Sequence, residues 1–353
     1  MSPKAFLRRY VLTAALERRV WRLCVRWPFL ADVYYCVTGG FRREHRGVLL
    51  GKLRHQEDMR DKSDLGAQYT LRRNTHRLEK GLIMRPRRPV FAKDYIGETV
   101  NVYVGLRRRN VAGIEPLMRW ATDVLTDYFD AVESDPAIDP LREAFNASQS
   151  EEGHTEPCDE RLVPYKRDES PLRIDIEGME QLAWRRRSVR WFEDRPVPRE
   201  VLDRAISVAK LSPSACNRQP FSFRVFDDKE LATRIGAIPG GTKGFAQNFP
   251  CVIVIVGDLR AYFHDRDRHV IYVDGGLAAM ALQFALEVQG VGSCCINWPD
   301  VESREQEMDA ALGLEPNQRP IMCMAVGYPD RTGSVPYSQK KQLDEIRSYN
   351  QTC

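Results

Sequence analysis

A chain of 353 residues, 43% of them apolar, can bury two or three cores or one large domain with a long appendage. Its net charge of +4 is mild and lends only weak support to a nucleic-acid role, although the basic residues concentrate towards the amino end. Nine scattered cysteines without a Cys-x-x-Cys pair argue against a disulfide framework. With six histidines that do not cluster beside them they argue against zinc as well, and they read as reduced thiols of a cytoplasmic protein.

In chain order, residues 5–27 predict one amphipathic helix, with Phe6, Tyr10, Leu12, Leu16, Val20, Leu23 and Trp27 at steps of three or four and arginines between them. Arg18, Arg19, Arg22 and Arg26 break up what a signal peptide would need as an apolar centre. No run of roughly 18 uninterrupted apolar residues predicts a membrane-spanning helix. The 5–27 helix suits either packing on its own protein or peripheral contact with an anionic membrane. Residues 39–64 carry both charges and few apolar side chains, which predicts loop and exposed helix.

The string Thr70-Leu-Arg-Arg-Asn-Thr-His-Arg-Leu-Glu-Lys-Gly-Leu82 is helical, with Leu71, Leu78 and Leu82 on one face and His76 and Lys80 on another. His76 is the histidine here with a claim to chemistry, but a lone helical histidine is more often a packing residue. Pro86 and Pro89 end that helix. Helices over 114–133 and 140–145 follow, and then a polar, acidic stretch over 148–160. Residues 1–165 therefore read as a mainly helical extension of unknown role, joined through a linker over about 147–170 to a second unit at 171–353.

That second unit alternates. A helix over 177–187 runs into Arg185-Arg-Arg-Ser-Val-Arg190, and another spans 198–210. Pro213-Ser-Ala-Cys-Asn-Arg-Gln-Pro220 is a turn that enters a strand at 221–226, and Asn217 and Gln219 offer it both donors and acceptors. The β-branched run 250–257 predicts a strand buried on both faces. An apolar helix at 274–290 and strands at 291–298 and 321–327 follow, and then an extended tail with Lys340 and Lys341. Cys294 and Cys295 read as small buried hydrophobes.

These pieces, in this order, resemble the nitroreductase family of FMN-dependent flavoproteins. The motifs that carry the resemblance are Arg186-Arg187-Ser188-Val189-Arg190, the 213–220 turn before a strand, a Gly-Gly-initiated helix ending Gln289-Gly-Val-Gly-Ser293, and Gly327-Tyr-Pro329 with its basic tail. They cover about half the chain. The resemblance implies an α+β fold, a mixed sheet flanked by helices, and a homodimer with FMN in two interface clefts. By position it makes Arg186 and Ser188 contacts to the phosphate and ribityl chain, with Ser338 and Lys340 from the tail, and Arg187 a contributor through its backbone or charge. Arg190 falls near N1 and O2 of the ring as its polarising cation, and no other catalytic side chain is implied. Asn217, with Ser214 and Gln219, falls at the pyrimidine edge, and Asn297 and Trp298 near N5.

Three features depart from the family pattern. Asn297-Trp298 stands where many members have an acidic residue and glycine, so the indole is expected to narrow the cleft or stack on a substrate. Lys340 stands where arginine is common. The 1–165 extension has no counterpart in minimal members, although long relatives carry helices with a string similar to that ending in Leu82.

The implied activity is hydride transfer from NADH or NADPH through FMN to a small-molecule acceptor such as a nitro compound or quinone. No Gly-x-Gly-x-x-Gly loop is present, so a nicotinamide would bind only transiently over the flavin. The alternatives are a specialised flavoenzyme of the same fold, such as a dehalogenase, azoline oxidase or flavin-degrading enzyme, or a flavin-binding protein of a membrane surface or interaction assembly.

Overall fold

The computed structural model describes residues 14–61, 63–150, 161–167 and 170–351. The amino-terminal half is helical. α1 (Ala14–Arg26) and α2 (Pro28–Thr38) form a hairpin, with Pro28 at the first position of α2 and Gly39 ending it in the left-handed region at φ 69°. The helix expected over 5–27 is present from Ala14, and residues 5–13 lie outside the described residues. Trp21, Leu23, Trp27, Phe29, Val33 and Val37 of the hairpin are all exposed.

Residues 39–64 depart from expectation. They form one 20-residue helix, α3 (Arg42–Asp61), which is docked and not free in solvent. Gly47 and Gly51 are buried one turn apart against the carboxyl-terminal half. A Cβ on Gly47 would stand 2.6 Å from the Pro316 carbonyl oxygen, and one on Gly51 2.9 Å from the Leu259 carbonyl. Ion pairs flank the contact: Arg43 with Glu302 at 2.8 Å and Asp309 at 2.6 Å, and Arg54 with Glu315 at 3.0 Å. Counting apolar side chains misses such a seam, because glycine makes it by having none. Gly51→Val is therefore expected to lever α3 off and cost about 1–3 kcal/mol, the usual range for overpacking. The thermal midpoint and proteolysis of α3 would report it, and an unchanged midpoint would contradict the close approach.

α4 (Asp64–Leu82) starts at Ser63, whose hydroxyl accepts from the Gly66 amide at 3.3 Å. Leu71 and Leu78 of α4 pack with Val100 and Tyr103 of α5 (Ile96–Arg109), Leu125 and Tyr128 of α6 (Glu115–Ala131) and Phe145 of α7 (Asp139–Ser150) in one core. Because α7 runs on to Ser150, residues 147–150 are helix, although they were expected to open the linker. The described residues between 161 and 175 hold no helix or strand.

The carboxyl-terminal half contains α8 (Ile176–Arg185), α9 (Arg199–Ala209), β1 (Phe221–Phe226), α10 (Lys229–Ala237), β2 (Cys251–Asp258), α11 (Val270–Glu287), β3 (Gly292–Asn297), α12 (Glu302–Leu312), β4 (Gln318–Gly327) and α13 (Leu343–Ile346). The strand order is β1-β2-β4-β3 and, among the described residues, every ladder is antiparallel and the one parallel pairing is the bridge between Ser188 and Ser293. β2 is buried on both sides, as its β-branched run predicts. Its residues alternate. Cys251, Ile253 and Ile255 share a core with Leu202 and Ala205 of α9 and Leu282 of α11, whereas Val252, Val254 and Val256 share one with Ile235 of α10 and Met308 of α12. The result is a sheet between two helical layers.

α11 begins at Val270, ahead of the predicted start, so Gly275 and Gly276 lie inside it. Gly275 is there for contact, since a Cβ would meet Ile321 at 2.5 Å. The span Asp265–Glu287 is long and apolar enough to cross a membrane. It is also the central helix of this half, packed on α9, β2, β3 and β4. One stripe of it stays open: Val273, Leu277 and Met280, at helical spacing, are exposed.

Candidate functional site

The basic stretch leaves α8 and lies along β3, fixed by the Val189 amide donating to the Ser293 carbonyl at 3.0 Å. Arg186 is incompletely bonded. Its Nη1 reaches the Gln283 side-chain oxygen only at 3.5 Å, and its Nε is buried with no partner among the described residues. An unpaired buried donor costs about 1–3 kcal/mol. An anion presented there would relieve that cost, and a phosphate suits a guanidinium fork. Arg190 donates once, to the Ser188 carbonyl at 3.3 Å, and with Phe245, Cys294, Asn297 and Pro299 lines a cavity of about 370 Å³. Burial pushes the Cys294 thiol up in pKa, and the charges of Arg190 and Arg186 oppose that, so both cations bear on the same point of β3. Arg187 is held back on α8, donating to the Ala183 and Arg186 carbonyls and lying over the Trp184 ring.

The 213–220 turn is organised by an acid near the start of α11. Asp274 of α11, 3% exposed, accepts from the Ser214 hydroxyl at 2.6 Å and the Ala215 amide at 3.1 Å. Ser214 Oγ in turn accepts from the Gln219 amide at 2.8 Å. The loop is wound so tightly that Cys216, Asn217 and Gln219 all take left-handed φ values, 52°, 51° and 52°, a conformation that non-glycine residues hold only when their surroundings enforce it. The Gln219 amide nitrogen donates to Asn217 Oδ1 at 2.8 Å. That leaves Asn217 Nδ2 as donor and Gln219 Oε1 as acceptor side by side, without partners among the described residues. An acid one turn into an otherwise apolar helix is the signal that could have revealed Asp274.

These two groups do not meet within one chain. Arg186 sits at Gln283 and Ser214 at Asp274, positions of α11 that are roughly 13 Å apart along the axis and about half a turn round it. Ser338 and Lys340 join neither group: every described residue of the tail from 331 on is exposed.

Asn297 ends β3 and lines the cavity, whereas Trp298 is not among the lining residues. Its indole packs on the core and its N–H donates to Glu305 Oε1 at 3.0 Å, so the ring is turned from the cleft it was expected to narrow. Glu305 is fully buried and also pairs with Arg319 at 2.8 Å. His76 is held by Glu79 at 3.1 Å, and Glu79 also accepts from the Trp120 indole at 2.9 Å.

The sequence model of the Nitroreductase family matches residues 183–242 and 237–328. Iodotyrosine deiodinase 1 of Rattus norvegicus is 22% identical over 204 residues, which is 50% of this chain and 71% of that protein. Iodotyrosine deiodinase 1 of Homo sapiens is 22% identical over 248 residues, 61% of this chain and 86% of its own. Among solved structures, an FMN-dependent nitroreductase of Clostridium difficile R20291 superposes with a TM-score of 0.42 and 24% identity, over 48% of this chain and 98% of that one.

Proposed function

We propose, from the premise that residues 183–328 are a nitroreductase-family domain and the chain an oxidoreductase of that family, that it acts as a homodimer holding FMN in two clefts between subunits. One observation carries this reading: Arg186 has a buried, unpaired Nε on one side of α11, while the free donor and acceptor of Asn217 and Gln219 lie on the other. A second copy supplies what the first lacks, bringing its 213–220 turn to the first chain's basic stretch. The open stripe Val273, Leu277 and Met280 gives that copy an apolar seat, and the exposed tail is free to lie across it and add Ser338 and Lys340 to the phosphate contacts.

Bound FMN would supply two-electron chemistry, taking hydride at N5 from NADH or NADPH and passing it to an oxidised acceptor such as a nitro compound or quinone. The chain's own residues bind and polarise. Arg186 and Ser188 anchor the phosphate and ribityl end, Arg190 sets a fixed cation at the N1–O2 edge, and Asn217 with Gln219 holds the pyrimidine edge. Asn297 and the Trp298 backbone border the ring. The test is a purified, FMN-reconstituted protein: it is expected to be yellow, to bleach with NADH or NADPH and to recover its colour with a quinone. A chain that takes up no FMN overturns the reading.

Leu277→Asp is expected to give monomers in size-exclusion chromatography and, in the same step, loss of flavin. A monomer that keeps its flavin would contradict the shared cleft.

The similarity to iodotyrosine deiodinases favours a second reading, a specialised reductive dehalogenase on the same scaffold. Product analysis separates the two: useful turnover of generic nitroaromatics supports the first, and halide release with feeble generic turnover supports the second. Apart from the chemistry, Phe29, Val33 and Val37 form an exposed stripe on α2 beside the arginines of α1, which suits peripheral contact with an anionic membrane. Val33→Asp is expected to abolish co-sedimentation with anionic vesicles, and equal sedimentation of both proteins removes the idea.

A further inference from the structure

The charged side of α4 is turned, at its Tyr69–Arg73 end, towards the other half of the chain, while Lys80 at its far end is exposed. Tyr69, Arg72, Arg73, His76 and Lys80 fall within about a third of the helix circumference, at ~100° per residue. Tyr69 buries against Leu259, Tyr262 and Ile271, which turns this face onto the loops beside the 215–217 turn, and α4 packs on that turn directly. A solvated charged face would point to water; Arg72 and Arg73 are instead half-buried. Burial first, and then the charge of Arg218, lower the Arg73 pKa, so the two cations lie within electrostatic range of each other.

Arg218 stacks over the Tyr262 ring at 4.8 Å, and the buried Tyr262 hydroxyl has no hydrogen-bond partner among the described residues. Counter-charge is scarce. Neither Arg72 nor Arg218 has a carboxylate at ion-pairing distance among the described residues. Arg73 has only Glu98 at 3.9 Å, and that group already accepts from Asn74 at 2.9 Å. Two guanidiniums from different halves of the chain are thus brought to one seam by the packing of α4 on the 215–217 turn, with Glu98 the one carboxylate at ion-pairing distance from either among the described residues.

We propose that α4 forms a wall of the flavin cleft and that Arg73 and Arg218 bind the anionic group, carboxylate or phosphate, of the compound that exchanges electrons there. This rests on the FMN reading above and adds the substrate class to it. The extension is then part of the active-site architecture, and neutral compounds are the poorer partners.

Paired probes test it on the full chain with FMN bound. 4-Nitrobenzoate and 4-nitrobenzamide differ by one negative charge as acceptors, and NADPH and NADH differ by one phosphate as donors. In Arg73→Gln and in Arg218→Gln the kcat/KM ratio of nitrobenzoate to nitrobenzamide is expected to fall about tenfold, with recovery in Arg73→Lys. A fall in the NADPH to NADH ratio instead also supports the anion site and assigns it to the donor's phosphate. A structural role would lower both members of a pair alike, and both ratios unchanged in a flavin-loaded, reducible protein overturns this inference alone. A wild-type chain that takes up no FMN overturns both readings.

Discussion

Arg186→Ala is expected to weaken FMN binding by at least about 100-fold. The guanidinium lies at the end of α8 with Nε buried and unpaired and Nη1 only loosely held by Gln283, so it has bonding capacity that the chain itself does not use. A phosphate would take up at least two of those donors. Hydrogen bonds to charged groups contribute about 1.5–3 kcal/mol each, so losing two amounts to roughly 3 kcal/mol or more. Arg187→Ala is the internal comparison, because that side chain is committed to α8 carbonyls and the Trp184 ring and its backbone would remain. Fluorescence titration of apoprotein with FMN would show a large loss for the first and about threefold or less for the second. Equal losses would mean that the stretch acts only as diffuse positive charge.

The largest stability effect is expected from Arg319→Met. Arg319 is 3% exposed and Glu305 fully buried, and they pair at 2.8 Å beneath the Trp298 loop. Removing the cation leaves a buried carboxylate with the indole N–H as its hydrogen-bond partner and Arg43 no nearer than 4.0 Å, a change that typically costs about 3–5 kcal/mol. Burial already pushes Glu305 up in pKa, so the variant is expected to bind a proton there on folding. A Glu305 raised in the folded state above its unfolded value gives stability that is present at low pH and lost as pH rises through the folded value, so the defect should deepen from acid to neutral pH. Replacing both partners by apolar residues should recover much of the loss. Denaturant melts across pH would decide: a defect independent of pH and not relieved in the double variant would show that the pair is not the cause.

What the sequence disclosed and what it hid follow from how each contact is made. β2 was legible because eight successive buried positions demand a β-branched run, and β1 because it leaves a proline-bounded turn. The basic stretch and the 213–220 turn stood out by composition. α3 did not, because its seam is made by Gly47 and Gly51 and ringed by ion pairs, so its packing face carries no apolar signal. The Trp298 indole was placed over the cleft because nothing in its neighbourhood announces a buried carboxylate seven residues on. The separation of Arg186 from the 213–220 turn across α11 was hidden for a different reason: it depends on which side chains reach Asp274 and Gln283, and those lie far off in sequence. The packing of α4 on the carboxyl-terminal half was hidden likewise, since the helix reveals its orientation only once Tyr69 is seated on the cluster of Leu259, Tyr262 and Ile271.

Mixed dimers measure the central claim most directly. Arg186→Ala and Asn217→Ala chains, differently tagged, each spoil both clefts of their own homodimer. A dimer with one chain of each kind would have one doubly damaged cleft and one built wholly from native residues. The expected result is recovery of one tight FMN per mixed dimer, where neither parent binds tightly. Mixed dimers no better than their parents would place the two groups in separate sites and contradict a flavin held between two chains.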